Sequence, residues 1–314
     1  MIDDARSGAP PALMRAIRLH EPHGPDGLVS EQIATPRPGP GEALVCVHAA
    51  AITRGELEWP VDRLPATPSY EFSGVVVTTG PEVGDVAVGE AVYALTGFDR
   101  DGAAADFIVL PTVFMAPKPR SLDHVQAAAL PLAALSAWQA LFDHGQLAPG
   151  QRVLIHGAAG GVGHLAVQLA RGRGAHVIAT ASTLNLDRAR ELGPDQVVDH
   201  TTTRFEDVID PVDLVFDTVG GDLLTRSPAV LRPGGRLVSV AEEPPADAAA
   251  GRTIVALYFV VEPNRDQLLE IATLADSGEL RPVVGEVFDL ADARSAFARS
   301  MSRDTHGKVV LRRG

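Results

Sequence analysis

VLIHGAAGGVGHLAVQLA, residues 153–170, joins an apolar run to a cluster of glycines and then to a second apolar segment. The run Val153–Ile155 is short and continuous, which is typical of a buried strand. After the glycines, apolar residues recur at Val162, Leu165 and Leu169, the spacing of one helix face. The segment therefore predicts a strand, a tight turn and a helix.

The same alternation of strand-like and helix-like runs continues downstream of this turn. It predicts a doubly wound parallel sheet with helices on both faces, an α/β domain over residues 123–262. The predicted strands are 153–157, 176–182, 197–200, 213–220, 236–241 and 254–261, and the predicted helices are 162–173, 185–192 and 222–231.

Residues 14–122 have a different rhythm, with short β-like runs separated by Gly- and Pro-rich turns. This pattern predicts a compact β-barrel. The final runs, after a helical segment at 264–280, resemble the early ones, so residues 263–314 are expected to complete that first domain. Residues 1–13 are expected to be a disordered extension.

Composition narrows the possible partners. The 314 residues carry a formal net charge of −13, which disfavours nucleic acid or an anionic membrane as the main partner. The single cysteine, Cys46, permits no disulfide within the chain and fits a reducing cytoplasm. The first residues lack the basic start and apolar core of a signal peptide. The least polar long segment, 125–142, is broken by Pro131 and is expected to be buried helix, not a membrane span.

The glycine turn has the composition of a phosphate-binding loop. Against the pattern G-x-G-x-x-G, Ala158 replaces the first glycine, while Gly160 and Gly163 hold the second and third places. The helix that follows offers free N–H groups and a partial positive charge to a pyrophosphate. The turn therefore predicts dinucleotide binding by Ala158, Gly160, Gly161, Val162 and Gly163.

The end of the second predicted strand indicates which dinucleotide is bound. Sites for NAD place an acid there for the ribose 2′-hydroxyl, but this strand ends in Ser182. Ser182 and Asn185 can donate to a 2′-phosphate, and Arg188 can supply positive charge. NADPH is therefore the expected cofactor. The alternative is that Ser182 and Asn185 only cap the next helix.

Several segments together resemble a known family. They include PGPGEALVCVHAAAI (38–52), VGEAVYALTGFDRDGAAADFIVLP (88–111), HGAAGGVGHLAVQLA (156–170), DTVGG (217–221) and LRPGGRLVSVA (231–241). From Met14 to the C-terminus the chain resembles a zinc-independent member of the medium-chain dehydrogenase/reductase superfamily, near the quinone oxidoreductases and zeta-crystallin.

The resemblance implies a GroES-like barrel domain and a Rossmann domain, with NADPH and substrate in the cleft between them. It also implies that further positions contact the cofactor. Ser136 takes the place of a Thr or Ser near the nicotinamide, His200 that of a frequent tyrosine, and Lys308 belongs to a C-terminal Gly-Lys element. The other implied contacts are Thr218, Val219, Val240, Ala241 and Phe259.

The zinc ligands of metal-dependent relatives are replaced in this chain. Thr53 stands where those relatives have a cysteine, and Tyr70-Glu71 where they have a His-Glu pair. Thr and Tyr are poor zinc ligands, so no metal is expected. Metal-free relatives often read N-P-x-D where this chain has a threonine at 53 and Glu56 three residues later. Cys46 lies in an apolar run and is expected to be packing.

Without a metal or a strong base, a conjugated acceptor is easier to reduce than an alcohol is to oxidise. The expected reaction is hydride transfer from NADPH to a quinone or an α,β-unsaturated carbonyl, with Thr53 and Tyr70 as catalytic hydrogen-bond donors. The alternative for Thr53 is that it caps a turn, and the alternative for Tyr70 is that it packs on the barrel. A biosynthetic, polyketide-type enoyl reductase and a non-catalytic NADPH-binding protein remain as alternatives. The apolar strand 254–261, expected at a sheet edge, predicts a homodimer.

Overall fold

The computed structural model describes residues 9–22, 24–60, 63–302 and 305–314. Within them the chain forms two compact units, which we call the antiparallel unit and the parallel unit after their main sheets. The antiparallel unit holds the residues up to Leu132 together with Pro263–Ser277 and Pro282–Gly314. The parallel unit holds Ala133–Glu262 and Gly278–Arg281.

Strands and helices are numbered separately in chain order. The strands are β1 (Leu13–Leu19), β2 (Leu28–Ala34), β3 (Glu42–Ile52), β4 (Glu71–Thr79), β5 (Ala91–Leu95), β6 (Phe107–Pro111), β7 (Met115–Pro117), β8 (Arg152–Ile155), β9 (His176–Ala181), β10 (Gln196–Asp199), β11 (Val212–Asp217), β12 (Leu231–Ser239), β13 (Val255–Tyr258), β14 (Val284–Asp289) and β15 (Lys308–Arg312). The α-helices are α1 (His124–Ala128), α2 (Pro131–Trp138), α3 (Gly163–Gly172), α4 (Leu186–Glu191), α5 (Gly221–Arg226), α6 (Arg265–Ser277) and α7 (Ala293–Ser300).

The parallel unit is built on a six-stranded sheet with the order β10-β9-β8-β11-β12-β13. All its neighbouring strands run parallel, as the alternating pattern predicted. Its core is apolar on successive strands, with Leu154, Ile178, Val215 and Leu237 buried in one cluster. The strand order reverses between β8 and β11, and ligands of doubly wound sheets bind at the carboxyl ends beside such a reversal.

The antiparallel unit is built on a seven-stranded sheet, and its main path is β14-β15-β3-β4-β5-β7. Strand β6 pairs with β3, and β1 and β2 form a separate ladder. Phe72, Val92 and Ile108 are among the buried residues at its centre. The C-terminal strand β15 pairs antiparallel with β3, so the end of the chain lies in the same sheet as the early strands.

The division between the units lies at 132/133 and not at the predicted 122/123. Asp123 caps α1, accepting a hydrogen bond from the Gln126 backbone N–H at 2.8 Å. Ala128 then packs against Ala49 and Val310 of the antiparallel unit, so α1 belongs there. Pro131 begins α2, which agrees with the predicted break in this segment.

The edge strand β13 is four residues long, shorter than the eight predicted. The Phe259 N–H still bonds Ser239 O at 3.2 Å, but the chain then leaves the sheet. After the chain has left the sheet, the Gln139 side-chain amide fixes the backbone of Glu262. Its Nε2 donates to Glu262 O at 2.9 Å, and its Oε1 accepts from Glu262 N at 3.1 Å. The predicted place at the sheet edge is confirmed.

The predicted extension of residues 1–13 lies outside the described residues over positions 1–8. The ladder begins at Leu13, and Ala12 O already accepts a hydrogen bond from Thr35 N at 3.0 Å. In the part of the chain that the structure describes, every helix is too short or too polar to cross a membrane.

Candidate functional site

Close backbone contacts shape the glycine turn between β8 and α3. Gly157 has φ +74°, and a Cβ there would lie 2.6 Å from Thr218 Oγ1. A Cβ on Gly163 would lie 2.1 Å from Gly157 O. The left-handed residue of the turn is thus Gly157, one place before Ala158, which stands at the first position of the G-x-G-x-x-G pattern. Ala158 is fully buried and its N–H is taken by Thr180 O at 3.0 Å.

The middle of this turn can receive an anion. Gly160, Gly161 and Val162 are partly exposed and directly precede α3. Gly160 N is bonded to Gly157 O at 2.9 Å, while within the described residues the N–H groups of Gly161 and Val162 donate no hydrogen bond. Free N–H groups at a helix N-terminus fit the pyrophosphate of a dinucleotide.

Asp217 organises the loops that follow β11 and β12. It is fully buried; its carboxylate accepts hydrogen bonds from Val219 N at 3.3 Å, from Gly220 N at 3.0 Å and from Ser239 Oγ at 2.9 Å. Burial raises the pKa of this carboxyl. Ser239 Oγ in turn accepts from Ala241 N at 3.2 Å. The buried Asp217 side chain therefore fixes the backbone that follows β11 and, through Ser239, the backbone that follows β12.

The predicted cofactor residues of these tips lie on that network. Thr218 Oγ1 donates to His156 O at 2.7 Å, which ties the β11 tip to the glycine turn. Val219 is 48% exposed although it is apolar, and Val240 is half-buried with its N–H on Asp217 O at 3.1 Å. Ala241 is exposed. Thr218 and Val219 are thus brought next to Gly157.

The predicted 2′-phosphate residues form one hydrogen-bonded row after β9. Asn185 Nδ2 donates to Ser182 Oγ at 3.2 Å, and Arg188 Nη1 donates to Asn185 Oδ1 at 3.0 Å. Neither Ser182 nor Asn185 makes a side-chain cap bond to the short helices that follow them. The capping alternative therefore finds no support in these contacts.

The tip of β10 carries an acid beside that row. Asp199 accepts from Thr183 Oγ1 at 2.6 Å and from Thr201 Oγ1 at 2.6 Å, and these bonds lower its pKa to about 2. His200 is half-buried, and burial lowers its pKa. The structure thus places His200 at the neighbouring tip, with its N–H on Ala181 O at 3.1 Å.

Two predicted nicotinamide contacts lie elsewhere in the parallel unit. Ser136 is buried within α2. Phe259 is half-buried, with its ring 4.5 Å from the ring of His144. Its N–H is already used by Ser239, so only its carbonyl and ring remain for a ligand.

Thr53 and Glu56 form the first part of a polar cluster in the antiparallel unit. Thr53 follows β3 and is half-buried. Glu56 is buried; it accepts from Thr53 N at 3.1 Å and from Ser69 N at 3.0 Å. Burial raises the pKa of Glu56 to about 8. Glu56 therefore holds the backbone on both sides of the cluster.

Lys308 and Glu71 form the second part. Lys308 Nζ lies 2.5 Å from Glu71 Oε1 and donates to Thr53 Oγ1 at 3.0 Å. Both charged side chains are nearly inaccessible, at 4% and 0%. The other oxygen of Glu71 accepts from Leu132 N at 2.8 Å. Lys308, predicted as a cofactor residue, is thus joined to Thr53.

Tyr70 lies beside this cluster within an aromatic group. Its ring stacks on Trp59 with centroids 6.0 Å apart and meets Phe98 at 5.1 Å. Burial, and then the nearby Glu56, raise the pKa of Tyr70 to about 12. The phenol therefore stays protonated at neutral pH. In the part of the chain described, its hydroxyl has no hydrogen-bond partner, so it is free to donate.

Comparison with known proteins agrees with these two units. Residues 39–120 match the alcohol dehydrogenase GroES-like domain family, and residues 192–311 match the zinc-binding dehydrogenase family. The structure resembles the quinone oxidoreductase of Coxiella burnetii with a TM-score of 0.90 and 31% identity, covering 96% of this chain and 99% of that one.

Curated relatives point the same way. The chain is 33% identical over 321 residues to the chloroplastic NADPH-dependent alkenal/one oxidoreductase of Arabidopsis thaliana, covering 96% of this chain and 80% of that protein. It is also 35% identical over 307 residues to the spectinabilin polyketide synthase system protein NorB of Streptomyces orinoci, covering 91% of this chain and 14% of that protein.

A GroES-like domain together with a six-stranded parallel, Rossmann-like sheet defines an oxidoreductase of the medium-chain type. The chain belongs to the medium-chain dehydrogenase/reductase superfamily, in its quinone oxidoreductase and alkenal reductase branch.

The name of one matching family implies zinc, but the donors here do not fit that ion. The described residues contain no group of three or more His, Cys, Asp or Glu side chains able to hold a metal. Thr53 and Tyr70 are poor ligands, and the Glu71 carboxylate is already paired with an ammonium group. Cys46 is buried, with Arg313 on its sulfur.

The sequence does not predict the roles of several residues in these sites. Asp217 and Phe98 lie inside the motifs that carry the family resemblance, but neither motif predicts a role for them, and Glu71 is predicted only to stand in the place of a zinc-binding pair. A buried acid beside a Gly-Gly turn, and a lone lysine in the apolar run of β15, were the available signals.

Proposed function

We propose that the protein transfers a hydride from NADPH to a quinone or an α,β-unsaturated carbonyl compound without a metal. The observation that carries this is that buried Glu56 accepts hydrogen bonds from the backbone of Thr53 and from that of Ser69, the residue before Tyr70, and so fixes the two segments that carry the hydroxyl donors Thr53 and Tyr70. Such donors suffice for a conjugated acceptor, because the charge that develops on its oxygen is already delocalised.

Different residues of the chain stabilise the developing charge and bind the acceptor. When bound, NADPH supplies the hydride. Addition at the β-carbon of an enone moves an electron pair onto the carbonyl oxygen, and the Thr53 and Tyr70 hydroxyls donate hydrogen bonds to that oxygen. Water then supplies the proton that completes the product. The aromatic rings of Trp59 and Phe98 exclude water beside Tyr70 and offer apolar contact to a flat acceptor.

NADPH is preferred over NADH in this proposal. The row Ser182, Asn185 and Arg188 presents hydrogen-bond donors and a positive charge where an NAD site places an acid. Asp199, at the neighbouring strand tip, is engaged by two threonine hydroxyls, and Asp187 is paired with Arg190. The name of the Arabidopsis relative states the same cofactor for that protein.

A screen of NADPH oxidation tests the reaction. Simple quinones, short enones and alkenals are offered with NADPH and with NADH, and products are identified. We expect turnover of conjugated acceptors and higher kcat/KM with NADPH. Saturated alcohols with NADP⁺ serve as the control and should react far more slowly. Brisk oxidation of alcohols with no reduction of enones or quinones would contradict the proposal.

A second candidate is a biosynthetic enoyl reductase acting on a large thioester. The 35% identity to a polyketide synthase protein favours it, although the match spans only 14% of that protein. A carrier-bound or pantetheine-linked enoyl substrate distinguishes the two, since such an enzyme would prefer it to simple quinones. Tight NADPH binding without turnover of any acceptor would instead support a non-catalytic binding protein.

We also propose that the protein is a cytoplasmic homodimer paired along β13. That strand lies at the sheet edge, with Val255 43% and Tyr258 39% exposed. The lone, buried Cys46 fits a reducing compartment. Light scattering at micromolar concentration should give twice the mass of 33.0 kDa, and a monomer would count against the pairing.

A further inference from the structure

Lys308 is a buried cation that none of the chemistry above yet uses. It opens β15, and the register Val309 to Ile52 brings it level with Thr53 at the end of β3. Its side chain is 4% accessible. Burying an ammonium group is costly unless its hydrogen bonds are satisfied, so its partners define its role.

Lys308 has one charged and one neutral side-chain partner. Glu71 balances its charge at 2.5 Å and is itself fixed by Leu132 N at 2.8 Å. Thr53 Oγ1 is the second partner, at 3.0 Å. An ammonium group has only donors, so Thr53 Oγ1 must be the acceptor in this bond. The hydrogen of the Thr53 hydroxyl therefore points away from Lys308.

The backbone of Thr53 is fixed as well. Its N–H donates to Glu56 Oε2 at 3.1 Å. With the backbone held by one buried acid and the oxygen held by a buried cation, the side chain keeps one orientation, and its hydroxyl proton is left for an acceptor other than Lys308. An oxygen that accepts from a cation is also a stronger donor, because the bond polarises the hydroxyl.

We propose that Lys308 is a positioning residue that makes the Thr53 hydroxyl an obligate, polarised hydrogen-bond donor toward the carbonyl oxygen of a conjugated substrate. This rests on the proposed function, because it gives the Thr53 hydroxyl a reacting partner. In this proposal Lys308 acts through Thr53 and not through the cofactor contact that the family resemblance implied for it, and Glu71 is the counter-ion that keeps the cation buried.

A double-mutant cycle between Lys308→Met and Thr53→Val tests the coupling. Each single variant should lower the single-turnover rate of hydride transfer, Thr53→Val by roughly 100-fold and Lys308→Met by roughly 10-fold. In the Thr53→Val background, Lys308→Met should have no further effect on that rate, because the hydroxyl it positions is gone. Additive losses would overturn the proposal. Dissociation constants for NADPH should stay within about twofold throughout.

A second pair of variants separates positioning from mere charge balance. Lys308→Met leaves Glu71 buried and unpaired, which is strongly destabilising. The double variant Lys308→Met/Glu71→Gln removes both charges and should restore thermal stability without restoring the rate. Recovery of the parental rate in this variant would show that Lys308 acts only as a counter-ion, and would overturn the proposal.

The orientation of Thr53 gives a readout that needs no turnover. In protein carrying ¹³C-methyl threonine, Thr53 should occupy one χ1 rotamer in the parent and several in Lys308→Met/Glu71→Gln. An unchanged rotamer would contradict the positioning role.

The proposed function and this inference fail differently. If the parent reduces no conjugated acceptor, both fall. If the parent is active and Thr53→Val keeps its rate, the assignment of Thr53 falls and the inference with it. If Thr53→Val is slow but the cycle is additive, only the role of Lys308 falls.

Discussion

The candidate site of the parallel unit consists mainly of backbone groups, whereas that of the antiparallel unit consists of side chains. In the parallel unit the glycine turn offers backbone N–H groups, and its shape depends on atoms that are missing at Gly157 and Gly163. In the antiparallel unit the cluster consists of side chains from three distant segments, at Thr53, Tyr70–Glu71 and Lys308. Substitutions that add atoms should therefore disrupt the glycine turn, whereas substitutions that remove polar or charged groups should disrupt the side-chain cluster.

Adding one methyl group to the turn should have the largest effect. In Gly163→Ala the new Cβ would lie 2.1 Å from Gly157 O, so the backbone must shift. We expect a loss of about 3 kcal/mol in the free energy of unfolding, measured by urea denaturation, together with weaker NADPH binding. Gly172→Ala is the matched control in the same helix, since its Cβ meets nothing within 4 Å. Equal stability of the two variants would contradict this account of the turn.

Removing the titratable carboxyl of Glu56 from the side-chain cluster should change how stability depends on pH. Glu56 has its pKa raised from 4.5 to about 8, so between these values the folded chain holds a proton that the unfolded chain has lost. The free energy of unfolding should therefore fall as pH rises through this window. Glu56→Gln should cost about 1–3 kcal/mol near pH 5 and remove that component of the pH dependence.

The control for this experiment is Glu58→Gln, an exposed residue of the same short helix. It should leave both the stability and its pH dependence close to those of the parent. An unchanged slope in Glu56→Gln would show that Glu56 is ionised at neutral pH in the folded protein.

Removing the Arg188 side chain, which adds to the backbone groups of the cofactor site, should have the smallest effect of these substitutions. Arg188→Ala should lower the preference for NADPH over NADH about tenfold, the size of one charge-assisted hydrogen bond. Ser182→Asp should move the preference toward NADH. Arg190→Ala, an exposed residue of the same helix paired with Asp187, is the control. Steady-state kcat/KM values with both cofactors decide it, and an unchanged ratio in Arg188→Ala would remove Arg188 from the site.

The same contrast explains what sequence could predict. The glycine turn is local: strand, turn and helix adjoin in the chain, so their pattern placed Gly160 to Gly163 correctly. The spacing carries no information on backbone dihedral angles, however, so the left-handed conformation of Gly157 is seen only in the structure.

The side-chain cluster is non-local. Thr53 and Lys308 meet only because β15 pairs with β3, and no periodicity within either segment predicts that register. The assignment of α1 is non-local as well, since α1 has an ordinary helical pattern and only its packing on β3 assigns it to the antiparallel unit.

Single-turnover stopped-flow measurement of NADPH oxidation by an enone tests the central claim most directly. The parent, Thr53→Val and Tyr70→Phe are compared, with NADPH affinity measured separately by titration. We predict that each variant transfers hydride roughly 10- to 1000-fold more slowly while its affinity for NADPH changes little. If both variants transfer hydride at the parental rate, the two hydroxyls are packing groups and the oxygen of the acceptor is held by something else.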